Sequence, residues 1–167
     1  MQEKIFKELQ DVFGESDRDV NKEDLPKLIY LEAVIKETLR LYPIAPIIAR
    51  DTHIDVKLKN YTIPRGSTCI GLIYGVNRQP AWGRDADEFR PERWLSSDRP
   101  SEKFFTSFSV GKRNCIGAHY AMIVMKTMLV HIFRRYLIKS DKTEPVIKWN
   151  AHIRPLSGYY IALESRT

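Results

Sequence analysis

A single cysteine in the run Phe108-Ser109-Val110-Gly111-Lys112-Arg113-Asn114-Cys115-Ile116-Gly117 is the residue of this sequence best suited to chemistry. A polar, glycine-punctuated loop leads into it, and a long apolar-periodic segment, Ala118 to Tyr136, follows directly. That order sets a thiol at the mouth of a helix. Unpaired N–H groups and the positive end of the helix dipole favour a thiolate there. Arg113 adds a second cation, with a fork suited to carboxylates. Gly111 and Gly117 permit sharp turns and close approach of a flat partner that side chains would block. A thiolate framed in this way is a soft donor for iron. Read alone, a free cysteine is more often a buried, inert packing residue. The full pattern reverses that reading.

The pattern F-x-x-G-x-R-x-C-x-G resembles the haem-binding loop of the cytochrome P450 haem-thiolate monooxygenases. The resemblance implies that Cys115 is the axial thiolate ligand of haem b (iron protoporphyrin IX). It implies that Arg113 neutralises a propionate, that Phe108 packs beside the sulfur, and that N–H groups near Ile116 and Gly117 donate to it. Two companion motifs appear in the family's order. Tyr30 to Pro43, with Glu37-Thr38-Leu39-Arg40, resembles the E-x-x-R helix, and Phe89-Arg90-Pro91-Glu92-Arg93-Trp94 resembles the P-E-R-F motif. By resemblance, Arg93 bridges to Glu37, with Arg40 as third member, in a buried network that holds the coil and the cysteine loop in one geometry. Taken alone, Glu37 and Arg40 at i and i+3 are a common solvated surface pair.

Several elements must position these residues. Ile5, Phe6, Leu9, Val12 and Phe13 predict a helix over Met1 to Gly14. Asn21 and Asp24 are candidate caps for a second helix that runs from Leu25 to Leu41 and stops before Pro43. Ile44 to Ala49 reads as extended and ends at Arg50. The resemblance makes Arg50 a propionate-binding residue and turns Ile44, Ile47 and Ile48 toward substrate, although ordinary core is an equal reading for these isoleucines. His53 to Lys57 and Tyr61 to Pro64 read as a hairpin, and His53 as a surface histidine. Ser67 to Val76 reads as a more buried strand with Cys69, Ile70, Leu72 and Ile73 in the core. Trp82, Phe89 and Trp94 pin the following coil by burial. After Cys115, the helix shows a stripe of Ala118, Ala121, Met122, Met125, Met128, Leu129, Ile132, Phe133 and Tyr136, read as core packing. Lys126, Arg134 and Arg135 lie off that stripe. Ser140 to Thr143 reads as a turn, and Val146 to Trp149 and Tyr159 to Leu163 as the two strands of a terminal hairpin around Arg154-Pro155-Leu156-Ser157-Gly158. The family's terminal hairpin makes Leu156 and Ser157 candidate substrate contacts.

Composition bounds the rest. The chain has 167 residues, 43% hydrophobic and 29% charged, with Lys+Arg 27 against Asp+Glu 21, a net charge of +6. That is a globular composition with one core. The basic residues are scattered, which argues against nucleic acid as partner. Two cysteines, Cys69 and Cys115, make neither a C-x-x-C pair nor a disulfide framework. No stretch is long and apolar enough to span a membrane, since His119, Lys126 and His131 interrupt Ala118 to Phe133.

The resemblance covers nearly the whole chain. It implies a mainly α fold with small β-sheets (α+β), with residues 1–167 the C-terminal, proximal portion of one larger domain. Local departures are Asn77 for a frequent histidine, Ala86 and Ser107 for usual prolines, and Tyr120 for phenylalanine. The implied reaction of the intact enzyme inserts one oxygen atom from O2 into a small apolar organic substrate. Electrons come from NADPH through a flavoprotein reductase, which Lys112, Lys126, Arg134 and Arg135 would meet if they are not simply solvent-facing. No acid–base catalytic residue is assigned. The resemblance further implies the endoplasmic reticulum membrane, reached through an anchor outside this chain. With a ligand loop but only one wall for the haem, these residues alone are expected to bind haem weakly or in a non-native way, without turnover. Alternatives are a haem-thiolate isomerase or dehydratase that needs no reductase, and a basic binding module without enzymatic activity.

Overall fold

A computed structural model describes residues 1–97, 101–140, 146–149, 152–156, 158 and 160–166. Three helices build the core. Helix α1 (Gln2–Phe13) buries Ile5, Leu9 and Phe13, spaced four residues apart on one face, and stops at Gly14, whose φ of 59° suits glycine. Helix α2 (Ile29–Leu41) is buried on nearly every side and ends just before Pro43. Helix α4 (Ala118–Arg135) lies against both and contributes Val130 and Phe133 to the shared apolar cluster.

The start of α2 differs from the sequence reading. Asp24 does not cap it. Its buried carboxylate receives both Nη1 and Nη2 of Arg18, at 2.6 and 2.9 Å, and the N–H of Asn21. A 3-10 turn over Leu25–Lys27 follows, and α2 begins only at Ile29. Leu28, at its N-cap, offers no side-chain acceptor. Glu8 of α1 supplies one instead: its two carboxylate oxygens accept the N–H groups of Tyr30 (2.6 Å) and Leu31 (2.9 Å).

The apolar face of α4 is also rotated from the expected stripe. Lys126, Val130 and Phe133 are its buried residues, flanked by Met122, Met125 and Leu129, whereas Met128 is exposed. Val130 was off the stripe because many apolar residues surround it in sequence, and the contact with α1 and α2 chooses among them.

The strands form four antiparallel pairs among the described residues. β1 (Ile47–Asp51) pairs with β4 (Thr68–Leu72), so that Arg50 stands opposite Cys69. β2 (Val56–Lys57) and β3 (Thr62–Ile63) make the expected hairpin, shortened to two residues a side. The buried strand expected over Ser67 to Val76 is corrected. It ends at Leu72, and Ile73–Val76 form a short helix, α3. Of the four side chains expected in the core only Ile73, now in α3, is buried; Ile70 is 71% exposed, Leu72 is exposed and Cys69 half-buried, because one face of the β1–β4 ribbon has nothing packed on it among the described residues.

The C-terminal pairing is corrected too. β5 (Tyr136–Lys139) continues directly from α4 and pairs with β8 (Ala162–Ser165). β6 (Ile147–Trp149) pairs with β7 (Ile153–Pro155), not with the last strand. Ser157, Tyr159 and most of the expected Ser140 to Thr143 turn lie outside the described residues. Trp82 and Trp94 are buried and meet at 5.4 Å with their rings tilted by 57°, but Phe89 is exposed. The architecture is mainly α with small β-sheets, an α+β fold.

Candidate functional site

The cysteine loop is held by its own backbone. Ser109 N–H donates to Thr106 O (2.7 Å), and Cys115 N–H donates to Phe108 O (2.8 Å). Two residues turn with positive φ: Ser109 at 61° and Gly111 at 76°. A 3-10 turn over Gly111–Arg113 closes the tip. Gly117 occupies the N-cap of α4 and accepts the N–H of Ala121 at 2.8 Å. Cys115 is a free, exposed thiol, and Ile116 beside it is 103% exposed. The N–H of Ala118 is spent on Cys115 O (3.3 Å). Those of Ile116 and Gly117 have no acceptor among the described residues. A Cβ on Gly117 would lie 3.9 Å from the sulfur, an ordinary contact distance.

Next to this loop lies an open pocket of about 970 Å³, lined by Ala49, Arg50, Asp51, His53, Lys112, Arg113 and Asn114. Arg50 reaches from β1 toward the loop, its Nη2 donating to Arg113 O at 3.4 Å, while Nη1 is bound to Ala49 O. The pocket's acid, Asp51, accepts the Thr68 hydroxyl. His53, read from sequence as a surface histidine, is exposed but lines this pocket with the two arginines.

Beneath the loop lies a carboxylate between two guanidiniums. Glu37 and Arg40 are 0% exposed and Arg93 is 3% exposed. Glu37 Oε2 accepts Arg40 Nε (2.8 Å) and Trp94 Nε1 (3.0 Å). Oε1 accepts Arg40 Nη2 (2.9 Å), Arg93 Nε (2.8 Å) and Arg90 N–H (2.9 Å). The remaining guanidinium donors go mainly to carbonyls, Arg40 to Asn77, Ala86 and Glu88 and Arg93 to Trp82, Asp85 and Glu88, and Arg93 Nη1 also meets the Asp85 carboxylate at 3.3 Å. Burial alone would raise the Glu37 pKa. The donors from Arg40, Arg90 and Arg93 outweigh it and hold the carboxyl below its ordinary range.

Among the described residues, no hydrogen bond joins Glu37, Arg40 or Arg93 directly to residues 106–117. Two links bridge the gap, and the sequence reading missed both. One is aromatic: Trp94 meets Phe105 edge-on at 5.1 Å, and Phe105 meets Phe108 at 6.2 Å. The other is Asn77, whose carbonyl binds Arg40 and whose side chain binds Thr106 and Ser107. The available signal was that Asn77 and Ser107 are both polar departures from the family pattern. They prove to be partners, with Nδ2 to Oγ at 2.8 Å.

The basic residues proposed for docking are partly corrected. Lys126 is 6% exposed, and its Nζ donates to Leu25 O (2.8 Å) and Glu32 (2.5 Å). It lies on the buried face of α4, one turn before Val130. Burial would raise the Glu32 pKa, but Lys126 and Lys36 together lower it. Arg134 is tied to the carbonyls of Ser16 and Arg18, and Arg135 to Asp17. Lys112 is exposed and has no acid partner among the described residues. Ile44 and Ile47 are exposed and Ile48 is half-buried. The N–H of Ile153 donates to Ile44 O (3.0 Å), which brings the exposed Leu156 hairpin beside that passage.

The model of the family described as Cytochrome P450 matches residues 1–161. The chain belongs to the cytochrome P450 family. It is 39% identical over 170 residues to cytochrome P450 4V2 of Rattus norvegicus, covering 99% of this chain and 32% of that protein. It is 38% identical over 170 residues to cytochrome P450 4V2 of Homo sapiens, again covering 99% and 32%. Cytochrome P450 4g1 of Drosophila melanogaster is 39% identical over 173 residues, covering 99% and 31%. The chain thus spans about a third of the length of these curated relatives. None of the described helices is long and apolar enough to cross a membrane.

Membership of the cytochrome P450 family implies haem with a cysteine thiolate ligand. The residues present fit that group. Cys115 offers an exposed sulfur donor without a disulfide partner, flanked by two amides without acceptors. The adjoining pocket gathers Arg50, Arg113, Lys112 and His53, which suits a macrocycle carrying two carboxylates.

Proposed function

We propose that this chain is the C-terminal haem-binding portion of a monooxygenase that inserts one oxygen atom from O2 into a small apolar organic substrate. The observation that carries this reading is the free, exposed Cys115 thiol, framed by Gly111 and Gly117, beside a pocket bearing two arginines. Cys115 would hold the haem iron through its sulfur, to which the amides of Ile116 and Gly117 would donate. Arg50 and Arg113 bind the propionates, with His53 beside them. Phe108, half-buried against Phe105, keeps water from the sulfur side. Haem b, when bound, supplies oxygen activation at an iron whose thiolate ligand pushes electron density onto it. Ile44, Ile47, Ile48 and Leu156 present apolar surface to the substrate. Glu37, Arg40 and Arg93 hold the coil beneath. Electrons come from NADPH through a flavoprotein reductase that docks near Lys112. The intact protein resides at the endoplasmic reticulum membrane.

The test is reconstitution of the chain with haemin, followed by reduction and addition of carbon monoxide. With a single wall for the haem in this chain, a weak long-wavelength thiolate Soret band is expected, and Cys115→Ser is expected to lose it. An unchanged band in that variant overturns Cys115 as ligand.

A further inference from the structure

Asn77 is 0% exposed and follows α3 directly. We propose that its side chain is the positioning residue that fixes the cysteine loop to the Glu37 network, and so sets where the Cys115 thiol stands. The inference rests on the reading of Cys115 as haem ligand.

The contacts form one continuous path. On the network side, Asn77 O accepts Arg40 Nη1 at 2.8 Å. On the loop side, Asn77 Oδ1 accepts both the N–H (3.2 Å) and the hydroxyl (3.0 Å) of Thr106. Nδ2 donates to Ser107 Oγ (2.8 Å), which leaves that hydroxyl free to donate onward to Leu39 O in α2 (2.8 Å). This pattern fixes the orientation of the amide. Turned over, its NH2 would face the Thr106 N–H, donor against donor.

The held residues sit where the loop most needs support. Thr106 O accepts the Ser109 N–H at 2.7 Å, which closes the turn that keeps Ser109 at a φ of 61°. A residue other than glycine keeps such a backbone only where its surroundings over-determine it. Phe108, next to the clamped pair, takes the Cys115 N–H on its carbonyl. The aromatic link through Trp94, Phe105 and Phe108 also joins network to loop. Ring contacts tolerate sliding, whereas hydrogen bonds weaken steeply with misalignment. Direction therefore comes from Asn77.

The test compares the chain with its Asn77→Ala and Ser107→Ala variants. Amide hydrogen exchange is read at Ser109 and Cys115, with Val130 and Phe133 as core references. The haemin-loaded, reduced, carbon monoxide-treated proteins are then compared by Soret spectrum. For Asn77→Ala, exchange at Ser109 and Cys115 is expected to rise about tenfold or more while the references move less than about twofold, the effect of losing buried hydrogen bonds locally. The thiolate share of the spectrum falls with it. Ser107→Ala gives a smaller effect confined to the same loop, because Asn77 still holds Thr106. Unchanged exchange at Ser109 and Cys115 in Asn77→Ala overturns the proposal. So does uniform acceleration that includes Val130 and Phe133 in both variants. A wild-type chain that takes up haemin without a thiolate band, yet loosens selectively in Asn77→Ala, sinks the ligand reading and leaves the positioning role standing. A normal band with no loop response sinks the positioning role alone.

Discussion

Replacing Glu37 by alanine removes the one anion between two buried guanidiniums. Five donors lose their acceptor: Arg40 Nε and Nη2, Arg93 Nε, Trp94 Nε1 and the Arg90 N–H. Arg40 and Arg93 keep their carbonyl partners, so neither swings out to water without breaking those as well; Arg93 also keeps the Asp85 carboxylate, whereas Arg40 is left with no anion. Breaking a buried pair in this way costs about 3–5 kcal/mol. Against a typical domain stability of about 5–15 kcal/mol, that is about a fifth or more of the total. With a urea slope of about 2 kcal/mol/M, the midpoint falls by about 1.5–2.5 M. Trp82 and Trp94 border the network, so tryptophan fluorescence reports the transition, with circular dichroism as a second probe. Glu37→Gln is the sharper variant. It keeps the shape but turns an NH2 toward guanidinium or indole N–H groups, so it is expected to destabilise nearly as much as alanine. Haem incorporation is expected to be lost in both. A loss below about 1 kcal/mol in either variant would refute the reasoning, because an uncompensated buried cation cannot be that cheap.

Glu8→Ala strips the donated cap from α2. A cap is worth about 0.5–2 kcal/mol, which predicts a fall in Tm of roughly 1–8 °C by calorimetry. An unchanged Tm would mean that water replaces the carboxylate. Asp24 is lowered from 3.8 to about 2, chiefly by the hydrogen bond from Arg18. A carboxylate depressed in the folded state adds stability that is complete above its unfolded value and fades as pH falls toward the folded one. Arg18→Ala should therefore unfold at higher pH in an acid titration followed by circular dichroism; an unmoved acid midpoint contradicts this. Lys112→Glu should raise the KM for reductase in the intact enzyme with no change in Tm. Lys126→Glu should lower the Tm, because it sets a carboxylate against Glu32; normal stability in that variant would contradict the buried placement.

The sequence by itself determined the local elements and the types of the chemical groups. The spacing of Ile5, Leu9 and Phe13 and the stop at Gly14 are encoded within a few residues, so α1 was legible. So were the end of α2 before Pro43 and the loop that delivers Cys115 to the start of α4. The motifs named Glu37, Arg40 and Arg93 as a set, although nothing local distinguishes them from a surface pair. Only tertiary structure decided the rest. Whether Lys126 meets solvent or Glu32 depends on how α4 is rotated against α2, since methionines and leucines occupy several faces of that helix. Whether β7 pairs with β6 or with the last strand depends on which edges lie near one another. The cap from Glu8 spans 22 residues to Tyr30, and the Asn77 contact to Thr106 spans 29. Such contacts leave no periodic trace in the sequence, because a buried polar atom must find a partner in space wherever the chain brings one.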